Sequence, residues 1–366
     1  MKNEVNRTLV QITASLEAKL GGPPRVVEDT FPYLAEKYDA HLVVFGNSEI
    51  VTPRQIINTT FLQNRFGLRF RKPTKESIAA MNQAQVVVIH GFYLYSTLIS
   101  LHFSKSENLF LMPHGSMEKY QESKGRLRKR IFTQLFLFLL GNRKIRFIVA
   151  SNSEKQSVLQ KFPQFKTIVV GLGVEKSSQH LQKEQLPHQP VRLFCLSRIS
   201  QVKRLDLSIK CLSILNKNSN KYTLDIYGVG DLKLSQNLTG LVKDLDLSET
   251  VTFHGFADLS KKNETLKRSD ILLLPSENEN FAIVVAESIA AGIPVILFKN
   301  VGMHEFVDEH KAGITIQSLS EVELAEAVFT VVQDFAVYRQ NCVKAAEYLT
   351  WENVIQRWFV EFEGNC

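Results

Sequence analysis

The sequence predicts an α/β protein built from two doubly wound, Rossmann-like domains facing a central cleft. Three observations predict it. The chain has 366 residues, more than one core needs and comfortable for two. Short apolar runs alternate with helix-length amphipathic segments along both halves. A polar segment closed by prolines separates the halves.

The rhythm is clearest in the second half, where apolar runs occupy 191–197, 222–228, 250–255, 271–276, 294–298 and 313–317. They are apolar throughout rather than alternating, as strands of a parallel sheet covered on both faces must be. Amphipathic segments between them serve as right-handed crossover helices. The first half repeats the rhythm at 8–13, 41–46, 85–91, 108–115, 147–152 and 166–171. Residues 175–190, rich in Gln, Ser and Lys and containing Pro187 and Pro190, read as the linker. The domains expected are therefore 1–174 and 191–345, followed by a tail, 346–366. In open α/β sheets ligands bind beyond the carboxyl ends of the strands, so the chemistry is sought in the loops there.

Composition narrows the class. Apolar residues make up 44% of the chain and charged residues 22%, which is globular rather than disordered. Cys195, Cys211, Cys342 and Cys366 are scattered without a C-x-x-C pair, so neither a disulfide framework nor a zinc cluster is indicated and a reducing cytoplasm fits. The polar start, Met1 to Asn6, shows no secretion signal. Residues 86–103 lack Asp, Glu, Lys and Arg, but His90, Gly91, Ser96, Thr97, Ser100 and His102 divide them into a buried strand, a turn and a core helix rather than a membrane span.

The net charge of +7 is uneven: residues 1–190 hold 26 basic against 14 acidic residues, and residues 191–366 hold 18 against 23. The basic half suits an anionic surface or simply a solvated face. A nucleic-acid partner is not expected, because no aromatic-and-basic RNA motif is present. A dinucleotide-dependent oxidoreductase is disfavoured because no G-x-G-x-x-G follows a strand.

The most informative segment is Pro275-Ser-Glu-Asn-Glu-Asn-Phe-Ala-Ile-Val-Val-Ala-Glu-Ser-Ile-Ala-Ala-Gly-Ile-Pro294. It predicts a strand ending at Ser276, a polar loop, and a helix from about Phe281 to Ala291 that Gly292 stops. Glu279 lies in the loop and Glu287 two turns into the helix. A loop of free amides at a helix N-terminus, here Asn280, Phe281, Ala282 and Ile283, suits a diphosphate. The two carboxylates can then accept hydrogen bonds from hydroxyls on either side of it.

This segment resembles the E-x7-E motif of the retaining glycosyltransferases of family 4, which adopt the GT-B fold. The resemblance implies that Glu279 contacts the hydroxyls of a donor sugar and Glu287 the nucleotide ribose. The segment Ser197-Arg198-Ile-Ser-Gln-Val-Lys203-Arg204 is similar to the family's G-R-L-x-x-x-K-G, implying that Arg198 and Lys203 meet the leaving diphosphate. Ser197 and Arg204 depart from that pattern by replacing its glycines. Tyr227-Gly228-Val-Gly230 resembles the loop that lets the base approach the backbone, although a tight turn explains it equally. Leu20-Gly21-Gly22-Pro23-Pro24 resembles the family's glycine-rich loop near the donor phosphates, or the prolines serve only to start a helix. Met112-Pro-His114-Gly115 resembles the segment whose histidine reaches the reacting sugar, and His90 in Ile89-His-Gly lines the acceptor side or is structural.

What the resemblance implies is a retaining transfer from a nucleotide-diphosphate sugar to an acceptor hydroxyl on a sugar or lipid-linked acceptor, in cell-surface polysaccharide, lipopolysaccharide or glycolipid synthesis. No metal or other cofactor is expected. A nucleotide-sugar 2-epimerase on the same fold, which needs no acceptor, is the alternative. Residues 119–146 carry Lys124, Arg126, Arg128, Lys129, Arg130, Arg143, Lys144 and Arg146 around apolar 131–140. This stretch is either a helix that rests on an anionic membrane surface at the inner face of the cell membrane or a core helix with a solvated basic end.

Overall fold

The computed structural model describes residues 7–17, 22–46, 56–58, 60–63, 69–118, 125–175, 187, 189–217 and 221–364. It divides into two compact units, one of residues 1–172 and 354–366 and the other of residues 173–353.

In chain order the first unit contains β1 (Thr8–Thr13), α1 (Gly22–Lys37), β2 (Asp39–Val44), β3 (Ile56–Asn58), β4 (Thr60–Gln63), β5 (Arg69–Lys72) and α2 (Lys75–Gln83). It continues with β6 (Val86–His90), α3 (Tyr95–Phe103), β7 (Leu109–Met112), α4 (Arg126–Leu140), β8 (Ile145–Val149), α5 (Asn152–Lys161) and β9 (Thr167–Val169). Seven strands form one parallel sheet in the order β3-β2-β1-β6-β7-β8-β9, and β4 and β5 form a separate antiparallel hairpin. The six apolar runs of the first half all overlap strands of this sheet. The sequence reading missed β3 and the hairpin; β3 offers only two apolar residues, Ile56 and Ile57, before Asn58, too few to register as an apolar run.

Continuous apolar runs bury on both faces as expected: every residue of β6, β7 and β8 is buried. Burying one such Val, Leu or Ile side chain contributes about 1.5–3 kcal/mol. Phe92 centres an aromatic cluster, with Phe132, Phe136 and Phe162 at ring-centroid distances of 5.2, 5.0 and 5.7 Å. The segment 86–103 divides into β6, a turn and α3, and among the described residues no helix is long and apolar enough to cross a membrane.

The second unit contains β10 (Val191–Leu196), a 3₁₀ turn (Gln201–Lys203), α6 (Leu205–Leu215), β11 (Tyr222–Tyr227), α7 (Leu232–Asp244), β12 (Val251–Gly255) and α8 (Leu259–Arg268). It continues with β13 (Ile271–Leu274), α9 (Ile283–Ala290), β14 (Val295–Phe298), α10 (His304–His310), β15 (Gly313–Ile316), α11 (Glu321–Gln333) and α12 (Phe335–Ala346). Its six strands are parallel in the order β12-β11-β10-β13-β14-β15, the doubly wound order in which the chain reverses direction across the sheet between β10 and β13. That switch places the loops after β10 and β13 side by side.

The chain closes with α13 (Trp351–Glu363), whose residues from Val354 onward belong to the first unit. Trp358 and Phe362 are buried there, with Phe362 4.5 Å from Phe110 between ring centroids. Arg357 Nε donates to Val170 O at 2.8 Å and Arg146 Nη1 to Glu361 O at 2.7 Å.

Candidate functional site

The residues singled out in the second unit gather in the loops after β10, β11 and β13. The chain leaves β10 through Ser197, Arg198 and Ile199, which run against the exit of β11. Ser197 N donates to Tyr227 O at 3.1 Å and Ile199 N to Val229 O at 3.1 Å. A Cβ on Gly228 would lie 1.8 Å from Ser197 O, and one on Gly230 2.0 Å from Ile199 O. Gly228 also takes φ +138°, so close backbone approach accounts for both glycines. Arg198 is exposed at this junction.

Lys203 ends the 3₁₀ turn and forms an ion pair with Glu279 Oε1. Ser276 Oγ donates to the same carboxylate oxygen at 3.2 Å. The loop that carries Glu279 is pinned from both sides: Glu277 N donates to Val202 O at 2.8 Å, and Gly302 N to Glu279 O at 2.9 Å. Arg204, which stands where the resembling pattern has glycine, takes the left-handed conformation that glycine favours, φ +48°, ψ 42°. An L-residue in that conformation costs about 1–2 kcal/mol. Arg204 offsets this with bonds to Asp206, Nη2 to Oδ2 at 3.0 Å and Nε to Oδ1 at 3.1 Å, and to Glu277 at 3.4 Å. The departure from glycine is thus compensated locally.

The helix after β13 starts at Ile283, two residues later than the sequence suggested, because Ala282 adopts φ +68° and breaks the helical turn. No side chain caps α9. Its first amides, led by Ile283 beside Asn280 and buried Phe281, open an uncapped N-terminus carrying the positive end of the helix dipole. Glu287 consequently lies just over one turn into the helix rather than two. Its carboxylate pairs with Lys262 Nζ of α8 at 2.6 Å, with both side chains largely buried. Sequence reasoning missed Lys262, whose only signal is a cation in the first turn of the helix after β12.

In the first unit, Gly21 lies outside the described residues. Gly22 opens α1, with Pro23 and Pro24 in its first turn, and a Cβ there would meet nothing within 4 Å. The prolines therefore start the helix. His114 and Gly115 follow β7 in left-handed conformations, φ +54° and +74°. Glu154, fully buried at the start of α5, holds this turn: its Oε1 accepts from Gly115 N at 2.6 Å and its Oε2 from Ala150 N at 2.9 Å. The pattern Ser151-Asn-Ser-Glu154 marks this position in the sequence as a capping box, and Ser151 Oγ accepts from Glu154 N at 3.2 Å. Its reach to Gly115 is a tertiary contact that the pattern does not contain.

The His90 and His114 rings lie edge to edge and nearly parallel, 19° between planes and 5.2 Å between centroids, with His90 Nδ1 3.0 Å from His114 Nε2. His90 is buried and its other nitrogen faces Gln11. Burial holds the pKa of His114 down at about 4 and that of His90 well below the usual imidazole range, with the His114 neighbour adding to the latter. Both rings are neutral at pH 7. Among the described residues no cluster of His, Cys, Asp and Glu could hold a metal ion.

Residues 176–348 match the family model of glycosyl transferases group 1. The amylovoran biosynthesis glycosyltransferase AmsK of Erwinia amylovora is 28% identical over 157 residues, covering 41% of this chain and 38% of AmsK, so the chain spans about two fifths of that relative. Among solved structures, HepE of Anabaena in complex with UDP and glucose superposes with a TM-score of 0.73 at 16% identity, covering 98% of this chain and 100% of HepE. WaaG, a glycosyltransferase involved in lipopolysaccharide biosynthesis, does so with a TM-score of 0.67 at 15% identity, over 98% and 100%. The fold is GT-B.

The two depressed imidazoles link stability to pH. The unfolded chain protonates His114 near the ordinary value of 6.5, whereas the folded protein keeps it neutral down to about 4. The unfolded state therefore binds more protons in that window, so the stabilisation is complete above 6.5 and is lost as pH falls toward 4. Thermal melts between pH 7.5 and 4.5 should show a steeper loss of stability on acidification in the wild type than in His114→Asn. Equal slopes would contradict the assignment.

Proposed function

We propose that the chain, whose residues 176–348 match the family model of glycosyl transferases group 1, is a retaining glycosyltransferase that takes its sugar from a nucleotide-diphosphate donor held mainly by the second unit. The observation that carries the reading is the Lys203–Glu279 ion pair beside the uncapped start of α9. Two complementary charges wait there in one place: a diphosphate competes for Lys203, and sugar hydroxyls compete for Glu279. Arg198, Lys203 and the α9 amides neutralise the charge that develops on the diphosphate as the glycosidic bond breaks. The acceptor hydroxyl attacks the same face of the sugar that the diphosphate leaves, and a departing phosphate oxygen takes the acceptor proton. Glu287, oriented by Lys262, binds the ribose, and His114 donates a hydrogen bond to a hydroxyl of the reacting sugar.

The complex of HepE with UDP and glucose supports a uridine donor as the first to try. The roles of AmsK in amylovoran biosynthesis and of WaaG in lipopolysaccharide biosynthesis support an acceptor on a cell-surface polysaccharide or glycolipid. Incubation with UDP-, GDP- and ADP-sugars and such acceptors should give transfer that persists in EDTA. Glu279→Ala and Lys203→Ala should each lower turnover about 10²–10³-fold, the loss expected for one charge-stabilising group. Near-wild-type turnover of either variant at saturating donor would reject the site, and loss of activity in EDTA restored by Mg²⁺ would reject its metal-free mechanism.

The same reading places the protein on an anionic bilayer through α4. One face of this helix packs Phe132, Phe136 and Leu140 into the first unit's core. At 100° per residue, Leu127, Ile131, Leu135 and Phe138 share the opposite face. All four are exposed, Leu127 at 73% and Phe138 at 79%. Arg126 and Arg130 flank this stripe on one side and Arg128 on the other, while Lys129 lies 4.7 Å over the Tyr93 ring. Lys119 and Lys124 lie outside the described residues. An exposed apolar stripe between cations fits the boundary between headgroups and acyl chains, where each basic residue contributes about 1 kcal/mol. Co-sedimentation with vesicles containing phosphatidylglycerol should require the anionic lipid, weaken with salt, and fall in Leu127→Ser/Phe138→Ser as well as in Arg126→Ser/Arg128→Ser/Arg130→Ser. Wild-type protein left in the supernatant at low salt would refute this placement.

A further inference from the structure

Three neighbouring strands deliver a continuous polar chain to the imidazole of His114. Gln11 lies on β1, His90 ends β6 and His114 follows β7, and β1-β6-β7 are consecutive in the sheet. Gln11 is fully buried, and its Nε2 lies 2.9 Å from Thr30 Oγ1 and 3.3 Å from His90 Nε2. Thr30 on α1 donates its own hydroxyl proton to Val26 O at 2.7 Å, so toward Gln11 it can only accept. The amide nitrogen, with two hydrogens, is the group that satisfies both contacts. Reversing the amide would set an oxygen against an acceptor and leave both of its hydrogens without these partners.

The proton positions then follow in order. His90 Nε2 accepts from Gln11, so neutral His90 carries its proton on Nδ1. That Nδ1–H donates across 3.0 Å to His114 Nε2, which must therefore be the bare nitrogen. Neutral His114 is left with its proton on Nδ1, the ring nitrogen facing away from His90. We infer that His90 is a positioning residue: through the Thr30–Gln11–His90 chain it fixes His114 as the Nδ1–H tautomer and directs that N–H, rather than Nε2–H, toward the ligand. Burial keeps both rings neutral, so neither has the second proton that would erase the distinction. The catalytic consequence rests on the reading of His114 as the imidazole at the reacting sugar, whereas the tautomer does not.

Long-range ¹H–¹⁵N spectra of the imidazoles at pH 7.5 read the tautomer directly. The nine histidines are few enough to assign the two rings from the peaks lost in His90→Phe and His114→Asn. Wild-type His90 and His114 should both be protonated at Nδ1. In His90→Phe, which keeps an aromatic ring but has no N–H, His114 should move toward the Nε2–H form. His90→Asn, whose amide can donate from nearly the place of Nδ1, should restore Nδ1–H. Turnover should fall about 10–100-fold in His90→Phe with donor KM little changed, and recover in His90→Asn, the scale expected when a group that orients a functional imidazole is lost. His114 protonated at Nε2 in the wild type, or unmoved in His90→Phe, would overturn the inference. A tautomer shift without loss of turnover would overturn the positioning role and leave the donor-site reading of Lys203 and Glu279 intact.

Discussion

The ion pair between Lys203 and Glu279 ties the loop after β10 to the loop after β13, and the geometry of the proposed donor site in the second unit depends on it. These loops become neighbours only because the sheet reverses direction between β10 and β13. The backbone bond from Glu277 N to Val202 O repeats the connection, and Arg204 adds a third through Glu277. The Lys203 and Glu279 side chains are mostly withdrawn from water but keep 16% and 18% of their surface exposed. They remain separable by a ligand that offers each a better partner. A fully buried pair would resist such exchange, since removing either partner would strand a desolvated charge.

A second constraint acts through backbone conformation. Arg204, Ala282 and His114 are all non-glycine residues at positive φ, and all three lie in the strand-end loops that carry the candidate site. Each costs free energy that the surrounding structure must hold against, and residues so held cluster where a site needs a fixed geometry. The supports are visible: Asp206 and Glu277 for Arg204, and Glu154 for the turn at His114. At Ala282 the support is a backbone bond, Val285 N donating to Ala282 O at 2.8 Å.

How legible each part was in the sequence follows from its range. The six parallel strands of the second unit could be read because each is a short segment dominated by apolar residues, continuously so in β13 and β14, and Glu279 and Glu287 because they sit in one local strand-loop-helix pattern. The edge strand β3 escaped because its two apolar residues, Ile56 and Ile57, make no run. The helix start at Ile283 was misplaced because nothing in Phe281-Ala282 announces a left-handed residue, where glycine or asparagine would have. Lys262 and Gln11 were invisible for a different reason: each matters only through a partner 25 or 79 residues away, Glu287 and His90, and no spacing rule connects them. Glu154 lies between these cases, since its capping box is local but its hold on Gly115 is not.

The central claim is that Lys203 and Glu279 exchange each other for the two ends of a nucleotide-sugar. A crystal structure with an intact nucleotide-diphosphate sugar tests it most directly. The account predicts the diphosphate at the N-terminus of α9, Lys203 Nζ on a phosphate oxygen, and Glu279 accepting hydrogen bonds from sugar hydroxyls. A bound donor with the Lys203–Glu279 pair still closed and the diphosphate away from α9 would contradict it.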